Sequence, residues 1–159
     1  MSGSDLAVAA VAAACFYTLW WAYSLSVRLR RIERLSKCDP LTGLGSGDWL
    51  QTERWPAALR SGRPLGVVYL DLDRLKFTND QLGHEAGDRY ICTAADALRQ
   101  AVRRGVDEVF RCYQAGDEFI VLIHGPLGNL RRCAESLLQR LTERGVSASL
   151  GLAYTAVTE

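Results

Sequence analysis

The stretch YQAGDEFIVLI, Tyr113 to Ile123, sets two carboxylates, Asp117 and Glu118, side by side at a glycine-containing bend with an apolar run directly behind them. Adjacent carboxylates at the mouth of a strand repel each other. A polar hairpin tip accounts for the glycine and the aspartate. A divalent cation shared with a third carboxylate accounts for the pair. Asp71, at the end of the apolar run VVYLD, supplies that third group if the two runs are neighbours in one sheet. Oxygen ligands of this kind suit Mg²⁺ or Mn²⁺, which keep several waters and share substrate phosphates. Two such ions clamp the attacking and leaving oxygens of a phosphoryl displacement. The turn at DLDRLK, residues 71–76, runs from strand into helix and presents backbone N–H groups to an anion.

The carboxylates meet only if the surrounding elements bring them together. LGVVYLDLD (65–73) is rich in β-branched and aromatic residues and reads as a strand. RLKFTNDQLGHEAGD (74–88) is a short helix and a glycine turn, and 86–105 carries apolar residues at helical spacing. DEVFRCYQ (107–114) and EFIVLIH (118–124) form a hairpin around Ala115-Gly116. A further helix covers 127–145 and a last strand 146–155. Ahead of them, CDPLTGLGSGDWL (38–50) is a turn-rich entry into a helix over Asp48 to Arg60, closed by SGRP. The order β-α-α-β-β-α-β predicts an α/β (α+β) domain, a ferredoxin-like palm with a mixed, mostly antiparallel sheet and covering helices. In that topology the first strand lies beside the hairpin, and Asp71 faces Asp117 and Glu118.

Bulk composition narrows the partners. The 159 residues fit one domain with an appendage, and a net charge of +1 lacks the basic excess of a nucleic-acid binder. Five scattered cysteines without C-x-x-C spacing speak against a zinc site or a disulfide framework and for a reducing compartment. The appendage is LAVAAVAAACFYTLWWAYSLSV, residues 6–27, which contains no charge. As a helix it is roughly 33 Å long, enough for a hydrocarbon core of about 30 Å. Aromatic rings gather at its C-terminal end, and Arg28, Arg30, Arg31 and Arg34 follow. The positive-inside rule then places residues 1–5 outside and the chain after Arg28 in the cytoplasm, as a single-pass inner-membrane protein. A cleaved signal peptide and a buried soluble helix are the competing readings. Leu25, Leu29, Ile32 and Leu35 continue a helical stripe into the juxtamembrane residues 28–38, either a short coiled-coil seam or a face packed on the following domain, 39–159.

Taken together, DPLTGL (39–44), DLDRLKFTNDQLGHEAGD (71–88), AGDEF (115–119) and VSASLG (146–151) resemble the GGDEF family, whose members are diguanylate cyclases that make cyclic di-GMP. The long second stretch is the specific signal, because its charged, amide and glycine positions all fall in register. The resemblance implies metal ligands at Asp71, the Leu72 carbonyl, Asp117 and Glu118, with two Mg²⁺ or Mn²⁺ ions per site. It gives Asp117 a part in deprotonating a ribose 3′-hydroxyl, and Lys76 the phosphates. Arg74 and Leu75 supply backbone donors. Asn79 and Asp88 read guanine, whose carbonyl and N–H groups match an amide and a carboxylate, and His84 belongs to the same turn. The implied substrate is GTP, one per protomer, condensed across a homodimer or a heterodimer with a fuller relative.

Three departures from the family pattern carry expectations of their own. Ala115 stands for the first glycine of the signature. The inhibitory R-x-x-D motif, counted back from the signature, meets Val106 and Val109, which predicts no product feedback there. The sequence ends at VTE, before the helix and strand that bring the family's triphosphate-gripping lysine and arginine. Loss of two such contacts, about 1.5–3 kcal/mol each, predicts weakened GTP binding. The alternative is an impaired module that binds GTP or a partner protein as a membrane-tethered regulator. A different nucleotide cyclisation on the same fold is a third reading, against which Asp88 argues.

Overall fold

The computed structural model describes residues 14–26, 37–112 and 116–156. They belong to two units, Met1–Leu35 and Ser36–Glu159. In the first, residues 14–26 are helical, and Phe16, Trp20 and Trp21 are exposed. The predicted span 6–27 extends outside the described residues, as do Leu29, Ile32 and Leu35 of the stripe. Among the described residues no helix is long and apolar enough to cross a membrane.

The second unit is built on five strands: β1 (Gly45–Ser46), β2 (Leu65–Leu72), β3 (Glu108–Arg111), β4 (Glu118–His124) and β5 (Ala148–Thr155). Their order across the sheet is β1-β3-β4-β2-β5. The β1–β3 pair is parallel and the other three pairs are antiparallel, so the sheet is mixed and mostly antiparallel as its sequence predicts. Helix α1 runs through Gly47–Trp49, Leu50–Arg54 and Trp55–Arg60. Its middle segment is a wide π turn just before Pro56, whose missing N–H breaks the regular ladder. Helices α2 (Leu75–Leu82), α3 (His84–Ala101) and α4 (Leu127–Glu143) complete the unit.

Alternation along the strands divides the sheet into two faces. Val68, Leu70 and Leu72 of β2 and Phe119, Val121 and Ile123 of β4 are buried with Ile91 and Leu98 of α3 and Leu137 and Leu141 of α4. On the opposite face Leu65, Phe110 and Leu122 pack with Leu50 and Ala58 of α1. That second helix covers only part of its face. Val67, Tyr69 and Asp71 alternate onto it and are less buried than their neighbours.

Three features differ from the sequence reading. Gly45 and Ser46, read there as turn, form β1, because Gly45 comes so close to β3 that a methyl would overlap the Phe110 ring. Helix α1 begins at Gly47 rather than Asp48, with the Trp49 N–H donating to the Ser46 hydroxyl at 3.2 Å. Helix α3 begins at His84, earlier than Ala86, because Gly83 takes φ 82° and ends α2 with one residue.

Candidate active site

Strand pairing brings the expected carboxylates together. In the β2–β4 register Asp71 stands directly opposite Glu118. The Leu72 N–H donates to the Asp117 carbonyl at 3.0 Å, fixing the start of β4 against the end of β2. The Asp71 carboxyl is pushed above the usual carboxylate range, first by desolvation and then by the charges of Asp117, Glu118 and Asp73. Among the described residues none of Asp71, Asp117 and Glu118 has a cationic partner, whereas the other inward acids do. Asp39 pairs with Arg111, Asp107 with Arg103, and Glu108 with Arg54. Among the described residues the trio thus lacks the basic counter-charge that these three acids have.

These residues fit a hard divalent cation. Among the described residues no group of three or more His, Cys, Asp or Glu side chains is arranged to hold a metal ion by itself. An open site of one or two carboxylates, completed by water and phosphate, is what Mg²⁺ takes. Asp73 instead has both its oxygens engaged by β5. The Ser147 and Ser149 hydroxyls donate to its two oxygens at 2.6 and 3.0 Å and hold its carboxyl below the usual range. The VSASLG stretch thus pins the end of β2 to β5, a role its sequence did not reveal.

The signature bend is held by a clamp that sequence reasoning missed. The Arg111 guanidinium pairs with Asp39 at 3.2 Å, with both side chains buried. Its Nε and Nη2 donate to the Gly116 carbonyl at 3.1 and 3.0 Å. Asp39 in turn accepts from the Thr42 backbone N–H and hydroxyl, both at 2.7 Å. DPLTGL therefore acts at a distance in sequence, fixing the residue immediately before Asp117. The available signal was a lone arginine inside the apolar strand EVFRC.

The turn after Asp71 presents the expected donors. Arg74 has φ 65°, the one non-glycine residue with positive φ among those described. Such strain in a non-glycine residue marks functional turns. Leu75 is buried and seats α2, whose first N–H groups have no intrahelical acceptor. Lys76 is exposed and makes no ion pair among the described residues. Asn79 lies in the last turn of α2 and Asp88 in the first turns of α3, joined by Gly83. The Asn79 amide rests on Gly87, where any Cβ would overlap its oxygen, so this glycine seats the amide next to Asp88. His84 opens α3 and is exposed, with no hydrogen bond among the described residues. Ala115 lies outside the described residues.

An R-x-x-D sequence does occur upstream of the signature, at Arg104 to Asp107, two residues further away than the count that met Val106 and Val109. It is out of register with the counted positions, which hold Val106 and Val109. Asp107 itself is taken up by Arg103 at 2.6 Å and by the His124 N–H at 3.1 Å.

Residues 36–157 match the family model described as "Diguanylate cyclase, GGDEF domain". The diguanylate cyclase DgcS of Shewanella oneidensis is 33% identical over 129 residues, covering 76% of this chain and 43% of that protein. The bifunctional diguanylate cyclase/cyclic di-GMP phosphodiesterase MucR of Pseudomonas aeruginosa is 33% identical, covering 83% of this chain and 21% of its own length. The chain thus spans less than half the length of these curated relatives. Among solved structures, the GGDEF domain of TpbB (YfiN) from Pseudomonas aeruginosa is 30% identical with a TM-score of 0.66, covering 76% of this chain and 78% of that one. The coiled coil and GGDEF domain of DgcB from Caulobacter crescentus, in complex with c-di-GMP, shares the fold at 22% identity and a TM-score of 0.78, covering 94% and 85%. The five-stranded sheet, the carboxylates at the ends of its central strands β2 and β4, and the family match over most of the sequence lead to one assignment: this chain belongs to the GGDEF family.

Proposed function

We propose that the chain is a diguanylate cyclase, condensing two GTP molecules into cyclic di-GMP with release of two pyrophosphates. The observation that carries this reading is the trio Asp71, Asp117 and Glu118, drawn together by strand register without a cation of its own. The divalent ions that such a site takes, Mg²⁺ or Mn²⁺ and two per site, supply charge neutralisation of the α-phosphate and of the leaving pyrophosphate. Asn79 and Asp88 bind the guanine edge, and the first turn of α2 with Lys76 faces the phosphates. Asp117 takes the proton of the 3′-hydroxyl. The 3′-oxygen then bonds to the α-phosphorus of the GTP held by the second protomer, and the bond from that phosphorus to the β-phosphate oxygen breaks. Repeating the step in the other direction closes the ring. One protomer thus carries half of a two-bond reaction, and the working unit is a homodimer or a heterodimer with a fuller GGDEF protein.

Residues 6–27 are proposed as a single-pass inner-membrane anchor with the catalytic domain in the cytoplasm, on the strength of their uncharged length and the arginines that follow. Anchoring raises the local concentration of protomers and favours the encounter. The reading is tested with the full chain in nanodiscs, supplied with GTP and Mg²⁺ or Mn²⁺, by mass spectrometry for cyclic di-GMP. Product that disappears in Asp117→Ala is the expected result. GTP saturation without any product would overturn the cyclase and leave a GTP-binding module.

A further inference from the structure

Tyr90 lies on α3, two residues after Asp88, with its ring packed against the main core. Its hydroxyl stands in the β2–β5 ladder. Leu72 and Ala148 are the last pair of that register, and Asp73 and Ser147 come opposite each other just beyond them. The Asp73 N–H donates to the Ser147 carbonyl at 2.9 Å. An antiparallel pair of this kind normally exchanges two such bonds. Here the second is replaced. The Ser147 N–H donates to the Tyr90 hydroxyl at 2.9 Å, and that hydroxyl lies 3.3 Å from the carbonyls of both Asp73 and Ser147. A hydroxyl has one proton to give. The Ser147 carbonyl already takes the Asp73 N–H, whereas the Asp73 carbonyl has no other donor among the described residues. The proton therefore goes to Asp73, and one oxygen bridges the two strands.

The place of this bridge gives it a use. Asp73 directly precedes Arg74, whose φ of 65° turns the chain into α2. The Asp73 N–H and both its carboxylate oxygens are held by Ser147 and Ser149. Its carbonyl alone is held by α3, the helix that carries Asp88. Phenylalanine would pack the same ring but leave the Ser147 N–H and the Asp73 carbonyl to close on each other, drawing that carbonyl from α3 to the opposite strand. We propose that Tyr90 is a positioning residue for the GTP phosphates, its hydroxyl tying the turn at 73–75 to the helix that reads the base. The distance between the two ends of one bound nucleotide is then set through a single bridging oxygen. This rests on the reading of that turn as the element facing the phosphates.

The test compares two ligands on the full chain in nanodiscs with Mg²⁺, by ligand-observed NMR titration. One is the α,β-methylene analogue of GTP, which cannot be condensed, and the other is guanosine, which has the base and no phosphate. Tyr90→Phe is expected to weaken the analogue about tenfold, the size of one hydrogen bond to a charged group, and to leave guanosine unchanged. A merely structural role would move both ligands together or neither. Unchanged affinity for the analogue, or an equal loss for both, overturns the proposal. The unaltered chain separates the two layers. If it prefers the analogue and Tyr90→Phe keeps that preference, the phosphate-facing turn stands and only the role of Tyr90 falls. If it binds the analogue no more tightly than guanosine, both fall together.

Discussion

Asp71 shows how a carboxylate set by strand register beside two others costs stability. Its carboxyl is raised by desolvation and by Asp117 and Glu118, so the folded protein binds a proton there more readily than the unfolded chain does. Its contribution is therefore most favourable below the unfolded carboxylate pKa and is lost as pH rises through the raised value. Asp71→Asn is expected to melt a degree or two higher than the parent at pH 7 without metal, the small size following from its limited burial. The advantage should vanish near pH 3.5, and added Mg²⁺ with GTP should stabilise the parent only. Thermal denaturation at the two pH values checks this. Gly87 makes the complementary case. Gly87→Ala drives the Asn79 amide off its seat, so GTP affinity should drop about tenfold, as for a lost hydrogen-bonded base contact. A calorimetric titration against GTP reads that loss, and the melting temperature should hardly move because the displaced group is the end of one side chain.

Among the elements, the long strands and amphipathic helices were legible because each repeats its pattern many times. β2 alternates along VVYLDL, and α3 and α4 keep apolar residues at three- and four-residue spacing, so the β2–β4 neighbourhood and its carboxylates followed. Asn79, Asp88 and Lys76 were singled out as candidates by their register in one long motif. β1 was not, since two residues carry no period and its place depends on contact with Phe110. The clamp was equally hidden, because Asp39 and Arg111 are far apart in sequence and only the sheet unites them. That clamp joins the DPLTGL entry to the signature bend, which makes it a structural requirement for placing Asp117. Asp39→Asn leaves a buried guanidinium without its counter-charge and is expected to cost about 3 kcal/mol, measured by urea denaturation. Ser147→Ala, at an exposed hydroxyl that shares its task with Ser149, should cost less than about 1 kcal/mol in the same experiment.

For the whole molecule, a single set of carboxylates at the ends of the central strands β2 and β4 gives the proposed reaction its form. A protomer presents one base corner and one set of carboxylates, and the second bond has to be made from another copy. The most direct measurement is therefore a mixing experiment. The parent chain is combined with increasing excess of Asp117→Ala in shared nanodiscs, and the products from GTP are resolved by mass spectrometry. In mixed dimers one half-site still forms its bond and the other does not. The account predicts that cyclic di-GMP falls faster than simple dilution while the linear dinucleotide pppGpG accumulates. Cyclic product that declines only in proportion to the parent chain, with no linear intermediate at any ratio, would contradict a reaction divided between two protomers.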